Sequence, residues 1–213
     1  NTSRVLHIGK RSVFTLLINV VTLDALTVTG GNSDSLDGGG IFNDGGTLTI
    51  SNSTVFNNTS NADGGGIANQ DEGTIKTYNS AVYNNSAGGY GGGIANFNGS
   101  SLTLVNSTVS NNLANREGGG IDNFSANLKL VNSTVTGNRC DADGDSLGAD
   151  NGGGITAFGT EHLDNTIVAG NYRFLVGDLT RNDIGGQIID LAQSSLVGDF
   201  ATSGGVINGN IGN

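Results

Sequence analysis

Between residues 38 and 171 the apolar positions recur in one short pattern. A triple glycine runs straight into an isoleucine; an alternating apolar–polar stretch follows, then a lone valine, then asparagine. The glycine triplets begin at Gly38, Gly64, Gly91, Gly118 and Gly152, at intervals of 26, 27, 27 and 34 residues. The other motifs keep step. "LTISNSTVFNN" (48–58) aligns with "IKTYNSAVYNN" (75–85), "LTLVNSTVSNN" (102–112), "LKLVNSTVTGN" (128–138) and, more loosely, "EHLDNTIVAGN" (161–171). None of the apolar spacings is helical. Leu102-Thr103-Leu104 alternates with the period of a half-buried strand. Three short strands and tight polar turns in each repeat predict one coil of a parallel β-helix, with coils stacked about 4.8 Å apart. By length this predicts about seven or eight rungs of three short strands each.

Stacking turns equivalent positions into ladders. Ile41, Ile67, Ile94, Ile121 and Ile155 form one apolar column, and Val55, Val82, Val109, Val135 and Val168 another. Both are expected to face inward. The neighbouring column of Phe56, Tyr83, Ser110, Thr136 and Ala169 is expected to face outward. Asn52, Asn79, Asn106, Asn132 and Asn165 fall at a turn, as do Asn58, Asn85, Asn112, Asn138 and Asn171. A single buried Asn is costly, but a stack can hydrogen-bond amide to amide along the axis. These columns are therefore read as structural, and the "NST" sequons they contain as ladder positions. The glycines supply positive φ and room where each coil turns between its neighbours. A phosphate-cradling loop would need Gly-Lys-Ser/Thr before a helix, which the chain lacks. The whole reads as one domain: an N-terminal rung or cap (1–37), regular repeats (38–171) with an insertion near 139–151, and C-terminal rungs or cap (172–213).

Composition agrees with this architecture. The chain has 213 residues with 37 Gly and no Pro, and 35% of its residues are hydrophobic. Absence of Pro suits long backbone ladders. The formal net charge of −10 disfavours nucleic acid and anionic lipid as partners. No apolar run reaches the roughly 18 residues of a membrane span. "KRSVFTLLINVV" (10–21) imitates a signal peptide but lacks a small-x-small cleavage site, so strands of a first rung are expected there.

With these motifs in view, "GGGIAN" followed by "LTLVNSTVSNN" resembles the repeats of bacterial secreted β-helix proteins with the pectin-lyase-like fold. It is similar to chlamydial polymorphic outer-membrane repeats, although Phe56 has no Asn three residues on. It is nearer to bacterial proteins with choice-of-anchor domains, whose last coils resemble "NTIVAGN" (165–171) and "DIGGQIIDLAQSSLVGD" (183–199). The resemblance covers roughly residues 26–199. It implies a right-handed β-helix, in keeping with the crossover rule for parallel strands, and a secreted or cell-surface setting, outer-membrane associated. The same fold hosts lyases, hydrolases and adhesins, so it does not fix function.

The residues themselves offer little ordered chemistry. Asp63, Asp71, Glu72 and Lys76 fall in turns, and Arg116, Glu117 and Asp122 gather around one glycine turn; all are read as solvated turn residues. His7 and His162 have no metal-ligand spacing, and Cys140 with His162 has nothing to hold it as a nucleophile–base pair. The insertion "RCDADGDSLGADNGGGI" (139–155) carries Asp141, Asp143, Asp145 and Asp150, candidate ligands for Ca²⁺ without the Gly and Glu of an EF-hand loop. A threonine ice-binding face is interrupted, since its outward column reads Thr49, Lys76, Thr103, Lys129, His162. The expectation is a non-catalytic, adhesin-like surface domain binding a polysaccharide or a cell-surface protein, with end-to-end self-association open to its terminal strands. The alternative is a polysaccharide lyase or glycoside hydrolase, which would need carboxylates gathered with an Arg or Lys in a groove.

Overall fold

The computed structural model describes residues 3–9, 19–140, 152–175, 178–186, 190–191 and 195–198. Within them the chain is all strand and turn, wound into a β-solenoid with three parallel sheets. The second sheet stacks Thr27–Thr29, Thr54–Phe56, Ala81–Tyr83, Thr108–Ser110, Thr134–Thr136, Ile167–Val168 and Leu196–Val197. Seven strands so stacked enclose about six turns. That is fewer than the length predicts. Part of the C-terminal region goes into an antiparallel pair, Tyr172–Leu175 with Asp178–Arg181, rather than into a further coil.

The first sheet takes two consecutive segments of each coil. In the early coils a turn separates them, as in Ile67–Gln70 and Thr74–Tyr78. In the later coils they fuse into single strands, Ile121–Val131 and Ile155–Asp164, whose register shifts between Phe124 and Asn127. The third sheet is narrow, with two-residue strands such as Ser86–Ala87 and Arg139–Cys140.

Identical residues stack on identical residues. Val28, Val55, Val82, Val109, Val135, Val168 and Val197 are register partners in sequence. Ile41, Ile67, Ile94, Ile121, Ile155 and Ile184 form the second such column. Both columns are buried. Each methyl group meets the same shape above and below, so one side-chain choice packs every coil. The neighbouring column of Phe56, Tyr83, Ser110, Thr136 and Ala169 is only half-buried, and the Phe56 and Tyr83 rings stack at 5.1 Å outside the coil.

The two asparagine columns do different work. Asn52, Asn79, Asn106, Asn132 and Asn165 are exposed and all have φ between 45° and 51°. They hold the left-handed turn that leaves the first sheet, a conformation Asn tolerates better than other non-glycine residues. Next to them, within "NST", Ser53, Ser80, Ser107 and Ser133 are buried. The Oγ of each of the last three accepts from the backbone N–H of its counterpart one coil earlier, at 3.1–3.3 Å. Asn58, Asn85, Asn112, Asn138 and Asn171, by contrast, are fully buried. Each amide Nδ2 donates to the Oδ1 of the next coil at 2.9–3.0 Å, and Asn171 donates to Asp183. Each Oδ1 from Asn85 onward also accepts the preceding Asn backbone N–H.

One glycine triplet explains the rest. Gly64 has φ +66°; Gly65 lies so close to the next coil that a Cβ would run into the carbonyls of Gly92 and Ser86; Gly66 lies against the Asn85 amide. Their N–H groups bond to Tyr90, Gly91 and Gly93 above. The triplet is thus a left-handed turn followed by two positions of backbone-to-backbone stacking.

Candidate functional site

Immediately after Leu6 and each buried Ile in register with it, the column reads His7, Phe42, Ala68, Ala95, Asp122, Thr156 and Gly185. The glycine turns fold over this column. A Cβ on Gly64 would touch the Cβ of Ala68, and one on Gly118 would touch Asp122 itself. Small residues therefore suit the column, and Ala68 and Ala95 are buried. Asp122 occupies the same place and is only 3% exposed. It is not the solvated turn residue its charge predicts. The turn that would have left it in water lies on top of it.

Asp122 forms the floor of a cavity of about 400 Å³, lined by Asp63, Tyr90, Phe97, Asn98, Glu117, Asp122, Phe124 and Phe158. Three elements build it. The glycine-turn loops contribute Asp63, Tyr90 and Glu117. The first sheet contributes Asp122. Phe97, Phe124 and Phe158, register partners in three successive coils, stand where the first-sheet segments turn or shift register. Phe124 and Phe158 meet edge-on at 6.3 Å and are 54% and 46% exposed.

The carboxylates differ in environment. Asp63 is half-buried and accepts the Tyr90 backbone N–H at 2.8 Å. Burial raises its pKa, Asp37 adds to the rise, and the Tyr90 hydrogen bond and Arg116 oppose it. Burial pushes the Asp122 carboxyl well above the usual range, and the negative charges of Glu117 and Asp63 push it further. Asp122 has no hydrogen-bond partner among the described residues. Arg116 lies at the rim, its guanidinium 5.6 Å from the Tyr90 ring centroid and its Nη1 donating to the Tyr90 hydroxyl at 3.3 Å. Among the described residues no basic side chain lines the cavity. A second cavity, lined by Arg4, His7, Asp37 and Phe42 among others, opens on the N-terminal end of the same column.

The other sequence candidates are dispersed. Asp71, Glu72 and Lys76 are exposed, as expected of turn residues. Cys140 is buried on the third sheet, whereas His162 lies on the first sheet beside Lys129, so the two do not form a pair. Lys76 sits in register between Thr49 and Thr103, which interrupts a threonine face. Asp141, Asp143, Asp145 and Asp150 lie outside the described residues. Among the described residues no group of three His, Cys, Asp or Glu is placed to hold a metal ion. No helix among them is long and apolar enough to cross a membrane.

The sequence carried a signal for the cavity. "GGGIANF", "GGGIDNF" and "GGGITAF" place a Phe three residues after the Ile in three consecutive repeats, and an Asp where the earlier repeats have Ala. A further buried column also went unread. Asn43, Asn69, Asn96 and Asn123 donate in turn, at 2.7–2.8 Å, each to the next and the last to Glu161 Oε1. No protein-family model, curated protein or solved structure matches the chain.

Proposed function

We propose that this chain is a secreted or cell-surface solenoid of passenger type whose cavity over Asp122 binds a glycan. The observation that carries this reading is the convergence of exposed ring faces with carboxylate acceptors on one rigid sheet edge. Phe124 and Phe158 offer apolar faces to the C–H side of a sugar ring. Asp63, Glu117 and Asp122 offer acceptors to its hydroxyls. A cavity of about 400 Å³ is of small-ligand size. The first sheet holds Asp122, Phe124 and Phe158, and the stacked glycine turns hold Asp63 and Glu117.

One alternative has an observation of its own. Asp122, whose pKa is raised by burial and by the charges of Glu117 and Asp63, has the character of a general acid with Asp63 or Glu117 as base. That supports a glycoside hydrolase. A lyase has less support, because among the described residues no basic side chain lines the cavity to stabilise the charge that forms after proton abstraction.

The test is retention of the purified chain on immobilised neutral, amino-substituted and uronic glycans, with and without Ca²⁺, together with release of reducing ends. Retention without turnover is expected. Retention on no glycan would overturn the proposal. Turnover lost in Asp122→Asn would replace it with the hydrolase reading.

A further inference from the structure

We infer that the sugar held over Asp122 is an amino sugar, a glucosamine-type unit whose ammonium group donates to Asp122 within the negative field of Asp63 and Glu117. This deepens the glycan-binding reading and rests on it. Among the described residues the cavity is lined by three carboxylates and by no basic side chain. Its floor, Asp122, is 3% exposed, faces the cavity, and has no hydrogen-bond partner among the described residues. A carboxyl that opens only onto the cavity gains a hydrogen-bond partner when a donor enters it. The two carboxylates nearest in charge to Asp122, Glu117 and Asp63, can only accept when ionised.

A neutral sugar would supply hydroxyl donors but leave the repulsion among the carboxylates in place. A uronic sugar would add to that repulsion. A quaternary ammonium would supply charge but no donor for Asp122. A bare metal ion needs several ligands at one point, and the described residues place no three such ligands together, whereas an ammonium can be held by the Asp122 carboxylate alone. A primary ammonium carries one positive charge and three donors, and the rings of Phe97, Phe124, Phe158 and Tyr90 stabilise a cation beside them. The pyranose carrying it then packs against the exposed Phe124 and Phe158 rings.

The rise in the Asp122 pKa agrees with a site built for a positive guest. Binding an ammonium there favours the ionised carboxyl and releases a proton.

The experiment is calorimetric titration of the full chain, at physiological salt and mildly acidic pH, with glucosamine oligomers. Their N-acetylated counterparts, a neutral glucan of equal length and a linear diamine serve as comparisons. Glucosamine oligomers are expected to bind at least about tenfold more tightly than the other three. Asp122→Asn is expected to reduce that preference to less than about threefold, and Glu117→Gln to weaken it independently should the first variant misfold. Phe124→Ala is expected to weaken all the oligosaccharides together. Equal binding of the three oligosaccharides would overturn the amino-sugar inference and leave the glycan reading standing. Equal binding of the diamine would remove the sugar ring from it. Binding of none would overturn both, and a preference retained in both carboxylate variants would move it to another site.

Discussion

Nδ2 of Asn123 donates to Oε1 of Glu161 at 2.7 Å inside the coil, across a register in which Asn123 pairs with Ala157, not with Glu161. Glu161 stands in a column that otherwise reads Leu48, Ile75, Leu102, Leu128. It breaks an apolar ladder in order to end a polar one. Oε1 also takes the Gly159 N–H, and Oε2 has no partner.

Replacing Glu161 therefore separates shape from hydrogen bonding. Glu161→Gln keeps an acceptor for Asn123 and removes a buried charge, so it is expected to be at least as stable as the parent at neutral pH. Glu161→Leu restores the apolar column but leaves Asn123 with Ala126 O as its only acceptor. A loss of about 1–3 kcal/mol in urea unfolding is expected, the cost of a buried unpaired donor.

Burial raises the pKa of both Asp122 and Glu161. Each holds its proton more tightly folded than unfolded. Their contribution is full below the ordinary carboxylate values of 3.8 and 4.5 and is lost as pH rises through the raised folded values. The Asp122→Asn variant is expected to be more stable than the parent at neutral pH. The difference should shrink on acidification, as followed by melting temperature from pH about 7 down to about 4. A difference that does not change with pH would contradict this.

The two asparagine columns should respond oppositely to glycine. Asn106 is exposed with φ 51°, so Asn106→Gly is expected to be nearly neutral and Asn106→Val to cost about 1–2 kcal/mol in backbone strain. Asn112 is buried, and its amide donates to Asn138 Oδ1 and Val82 O. Its Oδ1 accepts from Asn85. Asn112→Gly is expected to cost about 3 kcal/mol or more, since it strands partners on both sides.

Gly65→Ala tests coil contact. Its Cβ would meet the Gly92 and Ser86 carbonyls, which are backbone and cannot rotate away. Gly99, with φ +73°, has only the Glu72 side chain nearby, at 3.7 Å. Gly99→Ala is expected to cost about 1 kcal/mol, and Gly65→Ala several times that, measured by thermal unfolding.

The coil and its apolar interior were legible because the same residue recurs on itself. A valine in every repeat can only be a stack, and so can the Asn58 column. The buried Asn43–Asn123 column was equally visible in "GGGIAN". Its end was not, because Glu161 enters from a position that does not align with asparagine. Asp122 misled for a different reason. Charge predicts solvent, yet the Gly118 turn covers the residue, and only the fold shows which column a turn covers. The cavity combines Asp63 with Glu117 and Phe158, which are distant in sequence and meet only once coils are stacked.

The Asn58–Asn85 contact and the Asn85–Asn112 contact are the same bond repeated at 27 residues. Every coil boundary in that region therefore presents matching faces. Excising residues 59–85 would bring Asn58 directly beneath Asn112 and join surfaces that already fit. Chain length in this protein is thus a quantised variable. Whole coils can be gained or lost by recombination between repeats; this excision would move the Phe124–Asp122 edge along the axis and put Asp37, which precedes Gly38 as Asp63 precedes Gly64, in the place of Asp63.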